Sequence, residues 1–313
     1  MRALCLIVNP HANNGRARSL VPPATAALTQ AGAEHRVVES ASLAHAKELA
    51  AQAASRGEVI VAVGGDGMVG ALAGTAAAAD ASFGLIPAGR GNDLASVLGI
   101  PSDPAGAARL LATGAAYPID LIGVSTPGQP EQLVAGSVYA GLPAVAGELA
   151  NATRLIKGPL VYPAAALRAL ARWQPATFTV RIADQQAEHE FLGYAVVVAN
   201  SAYFGAGMRV APPAEIDDGE LDLVLMRHAA KLTFVRALLK IKDGSHVTLP
   251  QISLHRGAEL TLTMTRDLPA AADGEPLACA SPLTAGTPLR IRVAPGALSV
   301  LRPAPPAATA PAQ

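Results

Sequence analysis

The chain has 313 residues with 24 Lys and Arg against 24 Asp and Glu, so its formal net charge is zero. This balance excludes a generally basic nucleic-acid-binding protein, and the length is that of about two domains. The two cysteines, Cys5 and Cys279, form neither a disulfide framework nor a zinc-site spacing. No uninterrupted apolar segment reaches the roughly 18 residues of a membrane span, so we expect a soluble, cytoplasmic protein.

Strand and helix patterns alternate along the first part of the chain. Short apolar runs predict four strands, and Ala-rich segments between them predict three helices. This alternation is typical of a parallel sheet with helices on both faces. The predicted strands are 4–8, 35–39, 58–63 and 83–87, and the predicted helices are 18–31, 42–55 and 68–79.

After about residue 120 the pattern changes to short, β-branched segments separated by turn residues, as in an antiparallel sandwich. The predicted strands there are 177–182, 191–199, 221–226, 246–254, 259–265 and 288–293, with helices at 162–173 and 231–241. The predicted fold class is therefore α/β plus all-β. A three-layer α/β domain spans 1–121, a C-terminal antiparallel β-sandwich spans 122–295, and a Pro/Ala-rich tail at 303–313 is expected to be disordered.

A glycine-rich loop follows the third predicted strand, in the segment 58–70 that reads EVIVAVGGDGMVG. Glycines let the backbone approach a ligand, and the N-terminus of the following helix offers N–H groups to phosphate. Asp66 among these glycines suits a Mg²⁺ ion carried by a nucleotide better than it suits bare phosphate. The alternative is a tight strand-to-helix turn without a ligand. A GxGxxG fingerprint at 65–70 is weak because it follows the third strand, and no GxxxxGK[ST] sequence occurs.

Two further polar loops follow the first and fourth predicted strands, with the sequences NPHANNGR at 9–16 and PAGRGNDLA at 87–95. In an open α/β sheet, ligands bind outside the carboxyl ends of the strands. Three glycine-bearing loops at that one edge are a more specific signal than any one of them alone.

These loops resemble those of the diacylglycerol kinase catalytic-domain family, bacterial lipid kinases related to sphingosine and ceramide kinases and to NAD kinase. The resemblance covers most of the chain, from residue 4 to residue 302. Each motif is loose by itself, but five in this order and spacing are specific. They are the Asn9-Pro10 to Gly15 loop, GGDG at 64–67, GRGND at 89–93, APPAEIDDG at 211–219 and DGE at 273–275.

The resemblance implies an NAD kinase-like first domain, to which the last strand near 296–302 returns. It implies ATP- and Mg²⁺-dependent transfer of the γ-phosphate to the hydroxyl of diacylglycerol or a similar lipid alcohol. The ATP-binding residues expected from the resemblance are Asn9, Asn13, Ser40, Gly64, Gly65, Asp66, Gly67, Met68, Gly89, Arg90, Asn92 and Asp93.

Two positions depart from the family pattern, which usually has Thr where this chain has Met68 and Arg90. Each change removes a hydroxyl near the expected phosphates, although Arg90 supplies a cation and Met68 keeps its backbone N–H. These departures motivate the alternative of a non-catalytic lipid or nucleotide sensor. NAD kinase and phosphofructokinase share GGDG, but the 89–93 loop is of the lipid-kinase type and no sugar-phosphate signature is present.

Transfer of a phosphoryl group to a hydroxyl needs a proton acceptor and a metal that shields the phosphate charge. By resemblance, the DGE segment faces the nucleotide loop across the interdomain cleft and supplies the acceptor. Asp273 is the favoured base, with Glu275 second, and an acidic hairpin turn is the alternative. Asp120 matches a family aspartate that helps to organise Mg²⁺ with Asp93.

The 215–220 segment resembles a structural Mg²⁺ site of the family. Asp218 would be the side-chain ligand, beside the main-chain carbonyls of Glu215 and Glu220. The alternative is a simple hairpin corner.

Two basic segments contain no acidic residue, at 151–173 and 226–242. Their cations and apolar residues favour loose attachment to an anionic membrane surface, and a solvated helix face is the alternative. The expected partners are thus a lipid alcohol and an anionic membrane, with peripheral membrane association and a homodimer considered, and no nucleic acid.

Overall fold

The computed structural model describes residues 2–13, 15–152, 161–183, 187–205, 207–277 and 282–305, together with 185 and 279. The chain forms two compact units, one made of Met1–Ile119 with Ala297–Gln313 and the other of Asp120–Gly296. Most of the predicted disordered tail, from residue 306 onward, lies outside the described residues.

The first unit has a parallel sheet as its middle layer. Its strands are β1 (Leu4–Val8), β2 (His35–Glu39), β3 (Val59–Gly64) and β4 (Phe83–Pro87), and its helices are α1 (Ala17–Gln30), α2 (Leu43–Ser55), α3 (Asp66–Ala78), α4 (Asp93–Val97) and α5 (Pro104–Thr113). The strands lie in the order β2-β1-β3-β4, and the end of the chain's last strand lies parallel to β4, with Val300 opposite Phe83. Helix α1 packs with α5 and α2 packs with α3. The chain crosses from β1 to β2 in one direction along the sheet and from β2 to β3 in the other. Right-handed crossovers therefore place α1 and α2 on opposite faces of the sheet. The predicted three-layer α/β architecture is confirmed.

Local sequence signals explain where two of these helices begin. The Ser42 hydroxyl accepts a hydrogen bond from the His45 N–H at 3.1 Å, which caps α2. The Asp103 carboxylate accepts the Gly106 N–H at 2.8 Å, and Pro104 is the first residue of α5. Both are preferred helix N-termini, since a side chain replaces a missing backbone acceptor.

The second unit is rich in antiparallel strands. They are β5 (Ala116–Ser125), which begins in the first unit, β6 (Gln132–Val134), β7 (Ser137–Gly141), β8 (Ala176–Ile182), β9 (Ala187–Ala199), β10 (Leu221–Arg227), β11 (Ile252–Gly257), β12 (Glu259–Met264), β13 (Ala270–Ala272), β14 (Glu275–Pro276) and β15 (Leu289–Leu301). The helices are α6 (Leu142–Ala152), α7 (Val161–Arg172), α8 (Lys231–Lys240) and a 3₁₀ helix (Ser245–Thr248).

Strand β9 is shared between the layers of the second unit. Its first half pairs with β8, and its second half lies between β7 and β10. Gly193 stands where the partners change, and a Cβ there would lie 2.7 Å from the Met226 carbonyl oxygen. The strand continues into a core that contains Phe178, Tyr194 and Val196. The predicted antiparallel β-sandwich is confirmed.

Two parts of the second unit differ from the sequence-based expectation. The predicted strand at 246–254 is wrong: residues Ser245–Thr248 form a 3₁₀ helix and β11 begins only at Ile252. Gly244 adopts a left-handed conformation with φ 81°, and Asp243 accepts hydrogen bonds from both the backbone and the hydroxyl of Ser245. These local bonds turn the chain before Ile252. Helix α6 was also not predicted, and neither were α4 and α5 in the first unit.

Among the described residues, no helix is both long enough and apolar enough to cross a membrane. Helices α7 and α8 correspond to the two predicted helices in the basic segments. Arg154 and Lys157, which contribute to the first basic segment, lie outside the described residues.

Candidate active site

The glycine-bearing loops of the first unit lie at one edge of its sheet. The chain passes from β1 to β2 on one side and from β2 past β1 to β3 on the other, so the strand order reverses between β1 and β3. Ligands in open α/β sheets bind at such a switch point, outside the carboxyl ends of the strands. The 9–16 loop follows β1 and the 64–67 loop follows β3, so both flank this position.

Asn9 and Ser40 hold the ends of neighbouring strands. The Asn9 N–H donates to the Val63 carbonyl at 3.0 Å, and its side-chain oxygen accepts the His11 N–H. Ser40 is buried, and its N–H and hydroxyl both donate to the Val8 carbonyl, at 2.8 and 3.1 Å. Asn13 has a left-handed backbone with φ 48°. The polar groups of Asn9 and Ser40 therefore shape the edge rather than point freely into solvent.

Strand β3 runs directly into α3, whose N-terminus has no side-chain cap. Gly65 is the residue before the helix, and Asp66, Gly67 and Met68 form its first turn. Uncapped N–H groups and the positive end of the helix dipole make this turn suitable for an anion such as phosphate. Met68 is buried, and a Cβ on Gly64 would lie 2.7 Å from its sulfur. The Met68 side chain thus belongs to the core, and only its backbone lies in the loop.

Asp66 joins the two glycine-rich loops. Its Oδ1 accepts the Asp93 N–H at 2.7 Å and its Oδ2 accepts the Asn92 N–H at 3.0 Å. Both donors lie at the start of α4, where an acceptor is otherwise lacking. Asn92 is left-handed with φ 54°, and its side chain accepts the Gly89 N–H at 2.8 Å. The sequence assigned Asp66 no structural role; the structure shows one.

The same two loops touch through their glycines. A Cβ on Gly89 would lie 2.6 Å from the Gly65 Cα, and a Cβ on Gly65 would lie 3.2 Å from the Gly89 Cα. Only glycine permits this backbone-to-backbone approach. Arg90, next to Gly89, is exposed and forms no hydrogen bond or ion pair with any described residue. Its guanidinium is therefore available to a ligand at this edge.

In the second unit, Asp120 is buried and holds a loop and a strand. Its Oδ2 accepts the Gly219 N–H and its Oδ1 accepts the Gly296 N–H, each at 2.7 Å. Its backbone N–H donates to the Ile216 carbonyl, and its carbonyl accepts from the buried Asn200 side chain. Asp120 therefore fixes the 216–219 loop and Gly296, the last residue of β15 that belongs to the second unit.

Asp273 is also held by backbone donors. Its carboxylate accepts N–H groups from Ala135, Gly136 and Ser137 at distances between 2.8 and 3.2 Å. A Cβ on Gly136 would lie 2.7 Å from Asp273 Oδ1, so glycine is required there. Asp273 itself is left-handed with φ 47°, and the Gly274 N–H donates to the Tyr139 hydroxyl. This network fixes the DGE turn against β7.

Glu275, on β14, differs from Asp273 in its exposure and in its hydrogen bonding. Its side chain is exposed and has no hydrogen-bond or ion-pair partner among the described residues. A shallow cleft of about 20 Å³ lies beside the DGE turn, between α6 and the β13–β14 hairpin. It is lined mainly by small and apolar side chains, together with Glu148: Tyr139, Ala144, Gly147, Pro269, Ala270, Ala271, Gly274 and Pro276.

The acidic 215–222 segment already holds a cation from the chain itself. Arg256 contacts the Asp218 carboxylate, lies 3.0 Å from that of Glu220 and lies 3.6 Å from that of Asp222. Asp222 is buried, and burial raises its pKa to about 6, against the opposing effect of Arg256. No group of three or more potential metal ligands occurs in the part of the chain that the structure describes. A Mg²⁺ ion on Asp218, Glu215 and Glu220 would have to share these carboxylates with Arg256, and it stays a prediction.

Sequence reasoning missed the backbone segment 135–137, Asn200, Tyr139 and Arg256 as parts of these networks. The segment contributes N–H groups, which carry no sequence signal apart from Gly136. Arg256 is an isolated arginine on a strand, and its role follows only from the pairing of β10 with β11.

Comparison with known proteins places these features in one family. Residues 3–124 match the family described as "Diacylglycerol kinase catalytic domain". Residues 136–302 match the family described as "YegS C-terminal NAD kinase beta sandwich-like domain". A diacylglycerol kinase of Mycobacterium tuberculosis is 29% identical over 299 residues, covering 95% of this chain and 94% of that protein. A "Probable lipid kinase YegS-like" of Stenotrophomonas maltophilia is 31% identical, covering 74% of this chain and 77% of that protein.

A solved structure of a diacylglycerol kinase from Bacillus anthracis str. Sterne has the same fold. Its TM-score is 0.71 at 18% sequence identity, and the match covers 97% of each chain. With both family descriptions matched in order and both units of the fold accounted for, the chain belongs to the diacylglycerol kinase catalytic-domain family and is a lipid kinase.

Proposed function

We propose that this lipid kinase transfers the γ-phosphoryl group of ATP to the hydroxyl of diacylglycerol or a similar lipid alcohol, with Mg²⁺ bound to the nucleotide. The observation that carries the proposal is the junction of the 64–67 and 89–93 loops, which follow β3 and β4 beside the switch point of the sheet. There, Gly65 and Gly89 bring two backbones together beside the uncapped start of α3. Such a site offers N–H groups to a polyphosphate without any side chain in the way.

ATP fits the residues at this edge. The first turn of α3 can bind phosphate oxygens, and the exposed Arg90 adds a positive charge that attracts them. This charge replaces the hydroxyl that the family usually has at position 90. Because the Met68 side chain is buried away from the loop, its contribution is limited to its N–H.

Mg²⁺ fits as an ion that arrives with the nucleotide. This metal keeps several waters and needs only one or two protein carboxylates besides the phosphates. Asp93, the first residue of α4 and next to the joined glycine-rich loops, is the candidate protein ligand in the first unit. When bound, the ion would shield the negative charge that develops during transfer.

The acceptor hydroxyl needs a base, and we propose Glu275 for this role with Asp273 as the residue that positions it. The Asp273 carboxylate would have to give up a backbone hydrogen bond to take a proton, whereas the Glu275 carboxylate is accessible. Since the acceptor resides in a bilayer, we expect the enzyme to work at a cytoplasmic membrane surface.

The test is transfer of radioactive phosphate from labelled ATP to dioctanoylglycerol, to NAD and to a total lipid extract, each with Mg²⁺ and with EDTA. The proposal requires a labelled lipid that disappears with EDTA. Labelled NAD would instead assign an NAD kinase-like activity, and nucleotide binding without any transfer would assign a non-catalytic sensor.

A further inference from the structure

Four exposed leucines lie on neighbouring elements of the second unit, α7, α8 and β9. Six large apolar side chains are exposed among the described residues, and the four leucines named here belong to this unit. Leu232 and Leu239 on α8 are 64% and 77% exposed, and Leu167 on α7 is 50% exposed. Leu192 on β9 lies close to the start of α8, since its carbonyl accepts the His228 N–H at 2.8 Å. Single exposed leucines are common, but several on neighbouring elements indicate a binding surface.

Helix α8 presents its leucines on the side that faces away from the core. Phe234 and Ala237 are buried, whereas Leu232 and Leu239 are exposed and are separated by seven residues, or two helical turns. Arg236 lies between them on the same exposed face, because it is four residues after Leu232 and three before Leu239. The helix thus has an apolar inner face and a second apolar stripe outside.

Both helices carry exposed cations and contain no acidic residue. No Asp or Glu occurs between Glu148 and Asp184 or between Asp222 and Asp243. The Lys231 ammonium donates to the Ala171 carbonyl at 2.7 Å, which ties the start of α8 to the end of α7. The exposed cations on the two helices are Arg168, Arg172, Lys231, Arg236 and Lys240.

We infer that this surface, formed by the exposed leucines of α7 and α8 and the cations around them, docks onto an anionic lipid bilayer. Leu167, Leu232 and Leu239 enter the headgroup region, while Arg236 and Lys240 contact anionic headgroups. Leucines alone would suit any apolar partner, but the exposed cations on α7 and α8, two helices that contain no acidic residue, are complementary to an anionic leaflet. The inference deepens the proposed function, because it assigns the surface by which the kinase reaches a lipid substrate.

The test is co-sedimentation of the full chain with vesicles of phosphatidylcholine, with and without phosphatidylglycerol, in the absence of ATP. We expect Leu232→Ala/Leu239→Ala to weaken binding to the anionic vesicles roughly tenfold, since the variant removes apolar carbons that enter the bilayer. Arg236→Gln/Lys240→Gln should also weaken binding roughly tenfold or more, with a smaller salt dependence than the wild type. Leu239→Glu places an anion in the stripe and should abolish binding.

Matched controls lie on the first unit, where Leu43→Ala removes an exposed leucine and Lys47→Gln/Arg109→Gln removes two exposed helix cations. These variants should bind like the wild type. Equal binding by all variants, or equal binding to neutral and anionic vesicles, would overturn the inference. The inference would also be overturned if the wild type did not bind vesicles and formed a dimer in sedimentation velocity that is lost in Leu232→Ala/Leu239→Ala.

Kinase assays separate this inference from the proposed function. Turnover of a short-chain, monomeric diacylglycerol by Leu232→Ala/Leu239→Ala should equal that of the wild type, while turnover of vesicle-borne diacylglycerol should fall with binding. Absence of any phosphoryl transfer would refute the proposed function and leave the vesicle result unaffected. A fall of both activities together would refute the assignment of the leucines to docking alone.

Discussion

Gly65 and Gly89 bring two loops of the first unit into backbone contact, so close that a methyl group on Gly89 would lie 2.6 Å from the Gly65 Cα. The contact joins the end of β3 to the loop before α4. Neighbouring atoms are backbone and cannot move aside without displacing a strand end, unlike the tip of a flexible side chain. This relationship fixes where the N-termini of α3 and α4 stand.

We expect Gly89→Ala to separate the two loops and to raise the KM for ATP at least tenfold. A Cβ at this distance forces the backbone to shift, and the same substitution should lower the free energy of unfolding by about 1–3 kcal/mol. Steady-state kinetics and urea denaturation measure the two effects. Gly147→Ala is the control for stability, because a Cβ there meets no atom within 4 Å and the position is helical. An ATP KM for Gly89→Ala equal to that of the wild type would contradict the role of the junction.

Asp66→Ala should lose both activity and stability. The substitution leaves the Asn92 and Asp93 N–H groups without an acceptor in a partly buried place, at a cost of about 1–3 kcal/mol. Asp66→Asn keeps one acceptor oxygen and should lose less stability than Asp66→Ala. Thermal unfolding and phosphate transfer are the measurements, with the exposed Glu48→Ala on α2 as control. If Asp66→Ala unfolds like the wild type, the hydrogen bonds from Asp66 do not hold the loops.

Arg90→Ala should raise the KM for ATP at low ionic strength and have less effect in high salt. Arg90 is exposed, so its attraction to phosphate is screened over a Debye length of about 10 Å at 0.1 M salt. Kinetics at two salt concentrations test this, and Arg56→Ala, an exposed arginine after α2, is the control. The same KM as the wild type in low salt would show that Arg90 does not reach the nucleotide.

Much of the fold was predictable because the local signals agree with the tertiary structure. Strands β1, β2 and β4 occur at their predicted bounds, since each is a short run ended by turn residues. The 246–254 segment looked like a strand, but the Asp243 hydrogen bonds and the left-handed Gly244 redirect it. The Asp-Gly-Ser sequence at 243–245 is itself a turn signal, and it outweighs the strand pattern of the residues that follow.

The positions of the candidate residues in the sequence were predictable, whereas the structural or catalytic role of each carboxylate was not. Asp66, Asp120 and Asp273 all follow turns or strand ends in the sequence, and the structure gives each of them backbone N–H donors. Asp273 meets donors more than 130 residues away in the chain. Glu275, two residues later, is exposed, so the difference between the two carboxylates is a tertiary relationship.

Glu275→Gln should lower kcat and kcat/KM together by roughly 10²–10⁴-fold, with ATP affinity unchanged, if Glu275 accepts the proton of the lipid hydroxyl. The substitution keeps the shape of an exposed side chain, so the unfolding temperature should not change. Asp273→Asn should instead lower the unfolding temperature, since an amide nitrogen would face the Ala135, Gly136 and Ser137 donors. Nucleotide binding, turnover and thermal unfolding of both variants separate the two roles. A large loss of kcat in Asp273→Asn with normal stability, beside an active Glu275→Gln, would make Asp273 the base.

The pH dependence of stability should show the cost of charging Asp222. Burial raises the pKa of Asp222 to about 6 in the folded protein, above the value near 3.8 of an ordinary aspartate. The folded state therefore binds this proton more tightly than the unfolded state. Ionisation of Asp222 lowers the free energy of unfolding, and this loss is absent below about pH 4 and complete above about pH 6. Asp222→Asn removes the titrating group, while Arg256 keeps Asp218 and Glu220 as partners.

We accordingly expect the free energy of unfolding of Asp222→Asn, relative to the wild type, to increase by about 2 kcal/mol between pH 4 and pH 7.5. Denaturant titrations at several pH values measure this difference, in which the other carboxylates cancel. Asp243→Asn is a control of opposite sign, because hydrogen bonds from Ser245 lower the pKa of Asp243 and its contribution is present at neutral pH and lost in acid. A difference between Asp222→Asn and the wild type that stays constant with pH would mean that Arg256 keeps Asp222 ionised throughout. In that case Arg256→Gln, which leaves the buried Asp222 charge unpaired, should be the more destabilising substitution at neutral pH.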